Sequence, residues 1–255
     1  MSLCLAFSFY FVHILALCAK IGMAEFLDMP YELDKLSVTI LRPQHGWQKS
    51  EIILTHSIGS IFTFFLAVIS RRIYNWSLRK SVALASIVLW VHLISISEIV
   101  TDLFYANLYM RELGLAMAWM DNSYLARIVY IILALSSVLG LILISKTLVK
   151  PFLSLAATRR VRERKNALFY LRAITLVPYL IISVVFLFDP YFYQTYNLIQ
   201  WFFIGISVLL IQNRIPLNRE VKIYKVATLS EWSWSRFSFL AGFISLLHLI
   251  KSFYL

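Results

Sequence analysis

At 255 residues, with 60% of them hydrophobic and only 15% charged, the chain has too little polar surface to be a soluble globule of its size. Its formal net charge of +11 does not call for a nucleic-acid partner, because the 24 Lys and Arg sit in short segments between apolar runs, where the positive-inside rule accounts for them. These features predict an all-α, polytopic transmembrane helix bundle forming a single domain over residues 1–255.

Seven apolar segments follow one another at about 3–23, 52–70, 81–105, 125–149, 168–189, 197–213 and 236–253. Each approaches or exceeds the ~17 to 25 residues that a spanning helix needs. The first could also be read as a signal peptide cleaved at the small residues around Gly22 and Ala24, which would leave six spans of unchanged sidedness. Against cleavage, no basic region precedes the run and Lys20 interrupts it. Cys4 and Cys18 both lie in this first segment and read as small core residues. On one straight helix they stand about 21 Å apart, far beyond disulfide reach.

The loops set the expected orientation. Arg71, Arg72, Arg79 and Lys80 follow the second segment. Lys146, Lys150, Arg159, Arg160, Arg162, Arg164 and Lys165 follow the fourth, and Arg214, Arg219, Lys222, Lys225 and Arg236 the sixth. These three loops are expected on the cytoplasmic side, facing anionic lipid headgroups, and the loops on the other side are neutral to acidic. The N-terminus is then cytoplasmic and the C-terminus outside.

Within the first outer loop the alternation in KLSVTIL predicts a short strand or an interfacial segment. Leu113–Met120, LGLAMAWM, is too short to span and is expected to lie at the interface or to re-enter, with Trp119 as an anchor. The segment from Lys150 to Ala167 has a proline start and a basic second half, which predicts a solvated helix at the headgroups. Pro178, mid-way along the fifth span, predicts a kink, and Ser136 with Gly140 in the fourth predicts a close helix contact.

The third segment, SVALASIVLWVHLISISEIVTDLFY, carries ionisable groups that a lipid-facing helix excludes. At 100° per residue from His92, Ser95 falls near about 300°, Asp102 near about 280°, Glu98 near about 240°, Tyr105 near about 220° and Thr101 near about 180°. One half of this helix is therefore polar and must face the bundle interior or a water-filled cavity. By depth, His92 and His13 fall near the midplane, Glu98, His56 and His248 in the outer half, and Asp102 near the outer surface. Arg127 is at the height of Asp102 and is its expected ion-pair partner, while Lys20 is at a height compatible with Glu98. The candidate polar cluster is therefore His92, Glu98, Asp102, His56, His248 and Arg127, with Glu98, His56 and His248 as the set that would bind a proton, a cation or a polar ligand. Haem needs two histidines at equal depth and Zn²⁺ three or four converging ligands, and neither pattern is present, so no metal or other cofactor is predicted.

The first span, FVHILALCAKIGM, resembles the opening helix of the site-2 protease family of intramembrane zinc metalloproteases, whose His-Glu-x-x-His motif precedes small residues and a glycine. The stretch SVTILRPQHGWQKSEIILTHSIGSIFTFFLAV resembles that family's second helix, so the likeness covers about the first 70 residues. His13 matches the first ligand, but Ile14 stands in place of the catalytic glutamate and Leu17 in place of the second histidine. What the resemblance implies is an inactive relative that keeps a fold and a protein-binding role, with no general base and no held Zn²⁺.

No phosphate loop, nucleophile elbow or acidic metal cluster is present. The leading expectation is a non-enzymatic subunit or scaffold of a membrane protein assembly, with the bilayer and other membrane proteins as partners. A small transporter or ligand-binding receptor using the polar face of the third span is the alternative, and a membrane metal or haem enzyme comes third.

Overall fold

The computed structural model describes residues 1–34, 37–41, 45–109, 113–121, 123–155, 164–186 and 195–213. Apart from one hairpin, its regular structure is helical. The elements are α1 (Ser2–Phe26), β1 (Tyr31–Asp34), β2 (Ser37–Ile40), α2 (Lys49–Lys80), α3 (Val82–Tyr109), α4 (Leu113–Met120), α5 (Tyr124–Thr147), α6 (Val149–Ser154), α7 (Arg164–Leu171), a π-turn (Arg172–Leu176), α8 (Val177–Phe186) and α9 (Thr195–Asn213). Five helical stretches are long and apolar enough to cross a membrane, and α9 carries a shorter apolar helix over Tyr196–Gln212. Together they fall on the first six of the seven expected segments; the seventh, with His248, lies outside the described residues.

Helix α3 is the axis of the bundle. Every residue from Val91 to Glu98 is buried, and α1, α2, α4, α5 and α9 all pack on this helix. Its polar half decides that placement: on a lipid-facing helix each ionisable group would cost on the order of 2.5 to 3.5 kcal/mol. By contrast α2 and α5 stand at the rim and turn Phe64, Phe65, Ile132, Leu135 and Leu139 outward. Both helices are long and apolar enough to cross a membrane.

The main core lies where α1, α3, α6, α8 and α9 meet. Phe9 of α1 sits against Phe186 and Trp201, with ring centroids 5.1 and 5.5 Å away, and Trp90 of α3 packs edge-on against Phe152 of α6 at 5.1 Å. Here the structure corrects one expectation. Phe152, Leu153 and Leu155 are fully or almost fully buried, so the start of the Lys150–Ala167 segment is a plug in the bundle and no headgroup helix. Tyr74 of α2 holds it there, its hydroxyl donating to the Pro151 carbonyl at 2.8 Å. Residues 156–163 of that segment lie outside the described residues.

The expected strand is present, since Ser37–Ile40 pairs antiparallel with Tyr31–Asp34. Lys20 at the end of α1 donates to the Val38 carbonyl at 3.1 Å and ties the hairpin to the bundle. Tyr31 donates to Glu25 at 2.6 Å, and that bond to a carboxylate holds the exposed phenol proton above its ordinary pKa. Glu51 starts α2 by accepting from the Gln48 backbone N–H at 3.1 Å. Ser123 starts α5 by accepting from the Ala126 N–H at 3.2 Å.

Leu113–Met120 folds back as α4 against α2 and α3, with Trp119 and Met120 exposed at its end. Gly114 lets it in so close that a Cβ there would stand 2.5 Å from the Ala106 carbonyl oxygen. Pro178 is in helix, and the adjustment precedes it: Val177 N–H reaches five residues back to the Arg172 carbonyl. The π-turn absorbs the donor that proline lacks and its clash with the preceding turn. Two smaller expectations fail. Cys18 is exposed, whereas Cys4 is in the core. Gly140 meets no atom within 4 Å of a built Cβ, so among the described residues it opens onto space and makes no close helix contact.

Candidate intramembrane site

Each polar side chain on α3 can be traced to where its hydrogen bonds go. Ser97 and Thr101 donate to the carbonyls one turn back, Leu93 and Ser97, at 2.9 and 2.8 Å, and are satisfied within their own helix. The His92 Nδ1–H donates to the Ala67 carbonyl of α2 at 2.8 Å. That bond fixes the tautomer and makes His92 a clamp between α2 and α3.

Asp102 accepts from two hydroxyls on two further helices: Tyr196 of α9 at 2.6 Å on one carboxyl oxygen and Ser60 of α2 on the other. The expectation of an ion pair with Arg127 did not include these partners. Neither residue is charged, so nothing in the sequence singled out a serine and a tyrosine as ligands of a carboxylate. Arg127 stands at a small cavity of about 150 Å³ between α3, α4 and α5, with Asn107, Gly114 and Tyr130.

Glu98 and Ser95 remain. Glu98 is 5% exposed and its Oε1 is 3.8 Å from Nδ1 of His13 on α1. That separation is too long for a direct hydrogen bond. Gln200 of α9, fully buried, lies beside the His13 ring. Among the described residues Glu98 Oε2, His13 Nε2, both amide atoms of Gln200 and the Ser95 hydroxyl have no hydrogen-bond partner. Glu98 Oε2 and the Ser95 hydroxyl on α3, His13 Nε2 on α1 and the Gln200 amide on α9 therefore lack well-formed hydrogen bonds, although Gln200 reaches the His13 ring. Buried polar groups are normally paired, and each one left unpaired costs about 1 to 3 kcal/mol.

His13 was expected near the midplane with His92, and the structure sets it at the level of Glu98. Helix rise gives depth along one span and says nothing of how a neighbouring span is shifted along it. Lys20 turns to the hairpin, as described. His56 stacks on Trp47 of the segment before α2, the centroids 6.1 Å apart, and His248 is outside the described residues. Gln200 was missed, although a signal exists. Asn197 and Gln200 are amides one turn apart in an apolar helix, and both are almost completely buried.

Among the described residues no three His, Cys, Asp or Glu side chains form a group that could hold a metal ion. The donors around the gap are a carboxyl, an imidazole, an amide and a hydroxyl, a set suited to water, a proton or a small polar or cationic ligand. No family model, curated protein or solved structure matches the chain. The reading of its function therefore rests on the site itself.

Proposed function

We propose that the chain is an integral membrane protein of seven spans, N-terminus cytoplasmic and C-terminus outside, that binds a small polar or cationic ligand between His13, Glu98 and Gln200 and acts as a small transporter or ligand-binding receptor. The observation that carries this reading is a buried Glu98 and His13 that stand 3.8 Å apart, with Gln200 at the His13 ring, and have polar atoms left without well-formed hydrogen bonds. A purely structural network closes on itself, as that of Asp102 does; this one is left open. The basic segments after the second, fourth and sixth apolar runs support the sidedness.

A subunit or scaffold of a membrane assembly is the second reading. It is favoured by α5, where Leu135, Leu139 and Leu143 form an exposed stripe with one-turn spacing. The site-2 protease resemblance fits either reading, as an inactive relative in which His13 serves binding in place of metal ligation.

The test is a thermal-shift panel on the purified full chain with alkali cations, ammonium and small amines at several pH values. A ligand at one hundred times its Kd stabilises by about 2.7 kcal/mol. The reading expects at least one compound to stabilise the wild type and to lose that effect in Glu98→Gln. It fails if no compound acts, or if the stabilisation is undiminished in the variant.

A further inference from the structure

A second feature lies on the outside of the bundle. Helices α2 and α5 both pack on α3 and leave between them a groove of about 380 Å³, floored by Ile96 and Val100 and walled by Phe64 and Val68 on one side and Leu141 on the other. Arg71 and Arg72 lie at one end of it, both exposed and without a carboxylate partner among the described residues. The His92 clamp on Ala67 pins α2 to α3 beside it, so the groove is a fixed part of the fold.

Its dimensions decide what fits. Along α2 the lining runs from Phe64 to Arg72, eight helical steps or about 12 Å. One leaflet of the hydrocarbon core is about 15 Å deep. A partner helix would need an apolar seam through both leaflets, whereas this groove is apolar for one leaflet and then meets two guanidinium groups. Its occupant has a tail one leaflet long and an anionic head. Paired arginines suit phosphate oxygens, which each guanidinium can grip with two parallel N–H donors.

We propose that the α2–α3–α5 groove is a binding site for an anionic phospholipid, its acyl chain along Val68 and Ile96 and its phosphate on Arg71 and Arg72. The proposal needs only that the chain spans a bilayer, and it stands or falls apart from the His13–Glu98 site.

The experiment is native mass spectrometry of the full chain in mixed micelles holding phosphatidylglycerol and phosphatidylcholine of the same acyl length. A basic residue near a membrane surface gives roughly a fivefold preference for anionic lipid, so two give about 25-fold. The wild type should retain phosphatidylglycerol with about that preference, and Arg71→Gln with Arg72→Gln should abolish it. Gly140→Phe should lower retention of both lipids about tenfold or more, because its side chain enters open groove space. The two arginines are exposed, so their double variant keeps the test informative if Gly140→Phe does not fold. Equal retention of the two lipids by the wild type overturns the proposal, as does a preference that survives loss of both arginines. Occupation by a second copy of the chain in place of lipid overturns it too.

Discussion

Replacing Tyr196 by Phe removes one oxygen and leaves the ring, so no cavity complicates the result. The lost hydroxyl donates to Asp102 at 2.6 Å from α9 to α3, a bond that joins two helices. Neutral interhelical hydrogen bonds in membrane proteins average about 0.6 kcal/mol and reach about 1.7, because the unfolded chain in the bilayer finds other partners. Bonds to an ionised group run at about 1.5 to 3 kcal/mol. The ranges overlap near 1.5 kcal/mol, which is the loss expected for Tyr196→Phe. The unfolding equilibrium in mixed micelles of increasing denaturing detergent reads it, and a cycle with Asp102→Asn separates the bond from its surroundings. With a coupling below about 0.3 kcal/mol, the claim that Asp102 is a satisfied structural carboxylate would be refuted.

Other consequences follow from the packing and the loops. Gly114→Ala drives a methyl into the Ala106 backbone, which cannot yield as a side chain tip can, and should cost about 1 to 3 kcal/mol. Gly22→Ala, with open space around it on α1, should gain about 0.5 to 1 kcal/mol in the same unfolding measurement. Tyr31 titrates above its ordinary value, so its bond to Glu25 is fully present below pH ~10 and is lost as pH rises through the higher folded value. Ultraviolet titration of wild type minus Tyr31→Phe should show one phenol ionising late, and a difference curve centred at or below pH ~10 would contradict that bond.

Much of this architecture was legible before any coordinates. Apolar run length marked the five helices long enough to cross a bilayer and the shorter apolar helix over Tyr196–Gln212. The polar half of α3 announced its central place, because only an enclosed helix carries His92, Glu98 and Asp102 together. The SVTI alternation marked β2. The relations between helices were not legible. Periodicity gives the face of one helix but not which neighbour it meets, so nothing in the sequence placed His13 beside Glu98. Charge stands out in an apolar sequence and points to Arg127 beside Asp102, whereas the uncharged Ser60 and Tyr196 hydroxyls that also bond Asp102 give no such signal. The burial of Phe152 and Leu153 was hidden by the basic residues that follow them. Gln200 was overlooked because an uncharged amide barely changes the hydropathy of its span.

The central claim is that Glu98 sits in an open polar site and Asp102 in a closed one, and the stability of two substitutions in the ligand-free protein tests it most directly. A polar group without partners is a liability, so Glu98→Met, near in volume and apolar, should stabilise the empty protein by about 1 to 3 kcal/mol while removing ligand stabilisation. Asp102→Leu strands the Ser60 and Tyr196 hydroxyls and should destabilise by a similar amount. If Glu98→Met instead destabilises the chain by more than about 1 kcal/mol, the carboxyl is already satisfied in the fold and the ligand site does not exist.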